Sequence, residues 1–144
     1  MPDVFTRAKR SEVMSKIRGR GNISTEVRLI AAMRTAGIKG WRRHQSLPGR
    51  PDFTFRREKV VVFVDGCFWH GCPRHFVAPS TSGEFWRRKI DQNRRRDARV
   101  NRQLRKLGWR VLRIWEHALK RRAALERTTA GISRQLDLRR REHR

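Results

Sequence analysis

Five consecutive apolar residues, Val60-Val61-Val62-Phe63-Val64, constrain this chain more than any other segment. A strand places successive side chains on opposite faces, so a run without alternation must be buried on both; such a strand is central in its sheet and covered by helices. Asp52-Phe53-Thr54-Phe55 precedes it across a tight polar turn at Arg56-Arg57-Glu58, Trp41 to His44 reads as a further strand, and Trp109 to Trp115 as the last. Helices are expected at 9–18, from a cap at Ser24 to a stop at Gly37, and over 84–107, ended by Gly108. One or two basic helices close the chain. The order α, α, β, β, β, α, β, α calls for an α/β fold, a mixed central sheet flanked by helices. A length of 144 residues allows one core. We expect a single domain over 1–136, with its core at about 10–120, and a frayed basic tail over 137–144.

Lys and Arg number 37 against 13 Asp and Glu, a formal charge of +24. Self-repulsion on this scale favours a partner that neutralises it, and phosphate backbones do so with release of counterions. Nucleic acid is the expected partner. An anionic membrane surface is a minor alternative, because no basic helix has a continuous bulky apolar face. The longest apolar run falls far short of the ~20 residues that span a bilayer, and Met1 to Thr6 has no apolar signal core, so a cytoplasmic protein is expected.

In so basic a chain, carboxylates placed where a core should be are informative. Asp52 opens one strand and Asp65 closes the next, so a hairpin would bring the two ends close. Trp86, Ile90, Asn93, Asp97, Val100, Leu104 and Leu107 follow steps of four and three, which puts Asn93 and Asp97 on the stripe that faces the sheet. Glu26 shares a helix face with Ile30 and Met33. Each has a plainer reading: Glu26 as an acid in a first helical turn, Asp97 as the partner of an inward Arg, Asp52 as a turn residue after Pro51. Several acids converging at a strand end inside a cationic surface are what a divalent metal needs to act on a phosphodiester.

Gly66-Cys67-Phe68-Trp69-His70-Gly71-Cys72-Pro73-Arg74-His75 follows the buried strand, and Trp115-Glu116-His117 ends the last one. Cys67, Cys72, His75 and His117 are a candidate tetrahedral zinc set, structural because four protein ligands leave no open position; the other readings are a disulfide between the cysteines and surface positions for the two histidines. His70 is then a candidate general base, or else a zinc ligand itself. Phe68 and Trp69 either wedge between base pairs or pack in a core.

Four blocks carry a resemblance: Leu47-Pro48-Gly49-Arg50-Pro51-Asp52-Phe53; Phe63-Val64-Asp65-Gly66-Cys67-Phe68-Trp69-His70; Glu84-Phe85-Trp86 with Lys89-Ile90 and Asp97; and Gly108-Trp109-Arg110-Val111-Leu112 with Trp115-Glu116. From about Arg10 to Leu119 the chain resembles the very short patch repair (Vsr) DNA mismatch endonucleases. The resemblance implies a restriction-endonuclease-like fold, a structural zinc, and magnesium-dependent nicking of one DNA strand at a T:G mispair left by deamination of 5-methylcytosine. It implies magnesium on Asp52 and on the backbone carbonyl of Val64, His70 as the catalytic histidine, and Glu26 and Asp97 as assisting acids. Phe68, Trp69 and Trp86 match its intercalating aromatics. The helix at Met14 to Arg18 matches its DNA clamp, with Lys16, Arg18 and Arg50 expected on the backbone. Asp65-Gly66-Cys67 lacks the Lys usual two residues after the second acid of this fold, which suits a His70 base.

The implied partners are double-stranded DNA carrying the mispair and mismatch-repair proteins, met by a monomer in the bacterial cytosol. Two other functions fit the same residues: a nuclease of matched or single-stranded DNA in a defence or restriction role, and a zinc-braced DNA-binding module without catalysis.

Overall fold

The computed structural model describes residues 25–74, 76 and 81–143. The expected helix at 9–18, the cap at Ser24, and Lys16, Arg18 and His75 lie outside them. A helix α1 occupies residues 25–35. It is followed by β1 (Trp41–Arg43), β2 (Phe53–Phe55), β3 (Val60–Asp65), α2 (Gly83–Lys106), β4 (Arg110–Trp115), a short 3-10 turn (Glu116–Leu119) and α3 (Arg122–Glu142).

The strands form one mixed sheet in the order β1-β2-β3-β4. β1 and β2, and β2 and β3, pair antiparallel; β3 and β4 pair parallel, across the α2 connection, with Phe63 opposite Arg113 and Asp65 opposite Trp115. β3 is interior, and all six of its residues are buried. Its period of two sorts them: Val60, Val62 and Val64 pack with Leu29 and Met33 of α1 and Ile132 and Leu136 of α3, while Val61 and Phe63 pack with Leu104 of α2. Helices therefore cover both faces, as the non-alternating run requires.

The α2 stripe buries Trp86, Ile90, Asn93 and Leu104. Leu107, one residue past the helix, is exposed instead of continuing the stripe. The larger difference is at the C-terminus, where residues 137–142 are not a frayed tail but the last turns of α3. Their anchors are tertiary. Arg139 donates to the main-chain oxygens of Glu58 and Gly108 at 3.0 and 2.7 Å, and Arg140 meets the buried Glu58 carboxylate at 3.3 Å. None of the helices among the described residues is long and apolar enough to cross a membrane.

Candidate active site

The parallel ends of β3 and β4 stop together, and the polar side chains gather there. Asp52 sits one residue before β2 and accepts the Val64 N–H through Oδ2 at 2.6 Å. The β2–β3 ladder ends at Phe53 opposite Val62, so Val64 has no strand partner on that edge. In an extended strand the N–H and C=O of one residue point to the same edge; the Val64 carbonyl thus faces the side on which Asp52 stands. Arg43 ties in a second acid, donating through Nη2 to Glu26 at 2.6 Å and through Nε to the Asp52 main-chain oxygen at 2.9 Å. Burial pushes the Asp52 carboxyl up to about 7, with Glu26 and Asp65 adding to the rise and only the Val64 N–H opposing it.

From α2, Asp97 reaches the same place. Its Oδ2 lies 2.5 Å from His70 Nδ1, and its Oδ1 lies 3.6 Å from Arg113 Nη1. Arg113 also bonds both oxygens of Asp65 at 2.9 and 3.2 Å, and Asp65 Oδ1 is 3.8 Å from His70 Nε2. Burial raises the Asp65 carboxyl, against the pull of His70 and Arg113. For His70 burial works downward, yet the bond to Asp97 and the charges of Asp65 and Asp97 leave it raised. Asp52, Val64, Asp65, His70, Asp97 and Arg113 line one cleft of about 490 Å³, with Arg50 on its rim. Crowded carboxylates held high by burial and by one another form a donor set that a hard divalent cation relieves, so the residues fit Mg2+.

The loop after β3 turns back on itself through His70 N–H to Gly66 O and Cys72 N–H to Cys67 O, at 3.1 and 2.8 Å. It is fastened to the end of β4, where Glu116 accepts the Cys67 N–H at 2.8 Å. His117 Nδ1 then stands 3.3 Å from Cys67 Sγ and 3.7 Å from Cys72 Sγ. A tetrahedral zinc with its usual bond lengths separates sulfur from nitrogen by about 3.5 Å, so these three fit the metal. Burial pushes the Cys67 thiol up to about 11, with Cys72 and Glu116 adding to the rise, which is the state a bound cation would reverse.

Phe68, Trp69 and Trp86 form one aromatic cluster, with ring centroids 5.4 to 6.1 Å apart. Phe68 and Trp69 are half-buried, whereas Trp86 lies beneath them, 2% exposed. Asn93, read from sequence only as a polar residue on the stripe, donates to the Trp69 carbonyl at 2.8 Å and holds the loop to α2. Arg113 was read only as part of a strand. Its signal was available: it falls two residues after Val111, on the side of β4 that packs against Val61, Phe63 and Leu104.

A family model described as DNA mismatch endonuclease Vsr matches residues 2–77. The chain is 42% identical over 126 residues to the DNA mismatch endonuclease Vsr of Escherichia coli (strain K12), covering 87% of this chain and 80% of that protein. It is 52% identical over 68 residues to the Type II nicking enzyme V.NaeI of Lentzea aerocolonigenes, covering 47% of this chain and 41% of that one. With the Type II nicking enzyme V.NmeAIP of Neisseria meningitidis serogroup A it shares 35% identity over 125 residues, 85% of this chain and 88% of the relative.

Proposed function

Because the chain belongs to the DNA mismatch endonuclease Vsr family, we propose that it nicks one strand of duplex DNA beside the T of a T:G mispair, using magnesium. The chain is a DNA nicking endonuclease of mismatch repair. The observation that supports phosphodiester hydrolysis in this cleft is the His70–Asp97 pair, 2.5 Å apart, beside Asp52; the mispair reading rests on the family.

Asp52 and the Val64 carbonyl would hold Mg2+, which polarises a phosphate and stabilises the departing oxygen when bound. The remaining steps belong to the chain. Asp97 accepts the Nδ1 proton of His70 and so leaves the Nε2 lone pair on the cleft side. Nε2 takes a proton from water; the water oxygen bonds to phosphorus in line with the strand oxygen that leaves, and the imidazolium rests between Asp97 and Asp65. Glu26, held by Arg43, sits beside Asp52 as a further acceptor for ordered water. Cys67, Cys72 and His117, with His75, would hold a structural zinc that braces the loop carrying His70. Phe68 and Trp69 are the rings offered to the base stack, backed by Trp86; the unstacking cost is least at a mispair, which favours that site without a full set of base-edge hydrogen bonds. The mixed sheet with acids at the β2–β3 hairpin supports a restriction-endonuclease-like fold.

The test is strand-specific nicking of a short duplex with one T:G mispair, in several methylation-site contexts, with Mg2+ and a matched control. Cleavage confined to the mispaired T strand is the expected result. Equal cutting of both duplexes would leave a nuclease and remove the mismatch specificity. In the same assay Trp69→Ala should lower the preference for the mispair, and an unchanged ratio would count against the wedge.

A further inference from the structure

Val111, Arg113 and Trp115 share one side of β4 by its period of two, and Val111 packs there with Val61, Phe63 and Leu104. A guanidinium in such surroundings is costly unless its neighbours are matched to it. Here Nη1 donates to both Asp65 oxygens, Nε donates to Asn101 Oδ1 at 2.8 Å, and the guanidinium carbon lies 4.1 Å from the centre of the Phe63 ring. The same Nη1 faces Asp97 Oδ1, while the other Asp97 oxygen is bonded to His70. One carboxylate thus stands between the imidazole of the loop, hydrogen-bonded to one oxygen, and an arginine of the strand, ion-paired with the other at 3.6 Å.

We propose that Arg113 is a positioning residue for strand nicking: its fork, anchored on Asp65 and Asn101, fixes the Asp97 carboxylate, and Asp97 in turn fixes the His70 imidazole. The inference rests on the reading of His70 as general base. Arg113 touches neither water nor phosphate in this role. Without it, Asp65 and Asp97 would face each other with that guanidinium gone from between them, and the Asp97 carboxylate could turn about its last bond. Lysine would not replace it, since a single ammonium cannot present donors to Asp65, Asn101 and Asp97 in their fixed directions.

The experiment uses the full chain, with single-turnover nicking of a saturating T:G duplex in Mg2+ and duplex affinity measured in chelator. Arg113→Met keeps a stem over Phe63; its nicking rate constant is expected to fall about 10- to 100-fold while duplex affinity stays near the parent's, because only the orientation of the base is disturbed. Combined with Asp97→Asn, it should cost nothing further, since Arg113 acts through Asp97. Parent-like nicking by Arg113→Met, or losses that multiply in the double variant, would overturn the proposal. Arg113→Lys carries the same test should the Met variant not fold: a loss of about tenfold is expected, and full activity overturns the role of the fork. His70→Ala separates the two levels. If it nicks like the parent, the general-base reading falls and this inference with it; if it is inactive while Arg113→Met is unimpaired, the positioning role alone falls.

Discussion

His70 meets a carboxylate on each side, Asp97 at Nδ1 and Asp65 toward Nε2, so both its orientation and its proton affinity are set by neighbours from other elements. His70→Ala is expected to lower nicking by about 10²- to 10⁴-fold with duplex affinity retained, checked by rate and by binding in chelator. Asp52 makes a different prediction. Its carboxyl is raised from 3.8 to about 7, so the folded chain holds a proton there that the unfolded chain releases; the stability this contributes is complete below pH 3.8 and is lost as pH rises through about 7. Asp65 and His70 are shifted in the same direction. The metal-free protein should therefore melt lower at about pH 8 than at about pH 5, Asp52→Asn should flatten that slope, and Mg2+ should stabilise most at the alkaline end. Thermal melts across this range check the sign; a melting temperature that climbs with pH in both proteins would contradict it.

Between elements, the contacts that matter are close and unforgiving. Gly49 precedes β2 at a φ of 74°, and a Cβ there would stand 2.6 Å from Val100 Cγ1 of α2. Gly49→Ala should lose about 1–3 kcal/mol of stability, read from denaturant midpoints, through overpacking and a left-handed backbone that alanine resists. β3 and α2 were legible in the sequence because their signals are local: five apolar residues in a row, and a stripe at helical spacing on which Asn93 and Asp97 stood out as polar. The hairpin that brings Asp52 toward Asp65 was legible for the same reason. The end of α3 was not. Leu138 to Arg144 looks like a solvated basic tail until Glu58, on the turn between β2 and β3, supplies a buried carboxylate and a carbonyl for Arg140 and Arg139. Arg113 was missed likewise, since what distinguishes it from the other arginines is the company of Asp65, Asp97, Asn101 and Phe63, all distant in sequence or on other elements.

Over the whole molecule 37 cationic side chains face only 13 carboxylates, so most of the cations have no acid to pair with. On α2 the exposed pairs Arg88–Glu84 and Arg95–Asp91, at 4.0 and 3.0 Å, leave Arg87, Arg99, Arg102 and Arg105 facing solvent. Exposed pairs of this kind hold their cations only weakly, so these arginines stay available to phosphates. Affinity for matched duplex, measured in chelator, should fall by about 10³- to 10⁵-fold between 50 and 200 mM salt, as neutralisation of about six to ten phosphates requires. A shallow dependence would mean that the charge is not spent on the backbone. The specificity proposed above would come from the loop after β3, where Trp69 and His70 are consecutive residues, with Asn93 holding one and Asp97 the other from the same helix. Their α-carbons are separated by one peptide unit, about 3.8 Å. An enzyme built this way carries a ruler one residue long. With Trp69 as the proposed wedge and His70 as the proposed base, their main-chain anchors stay one peptide unit apart, and only torsions of the two side chains and of the peptide joining them can change the offset between the step met and the bond cut.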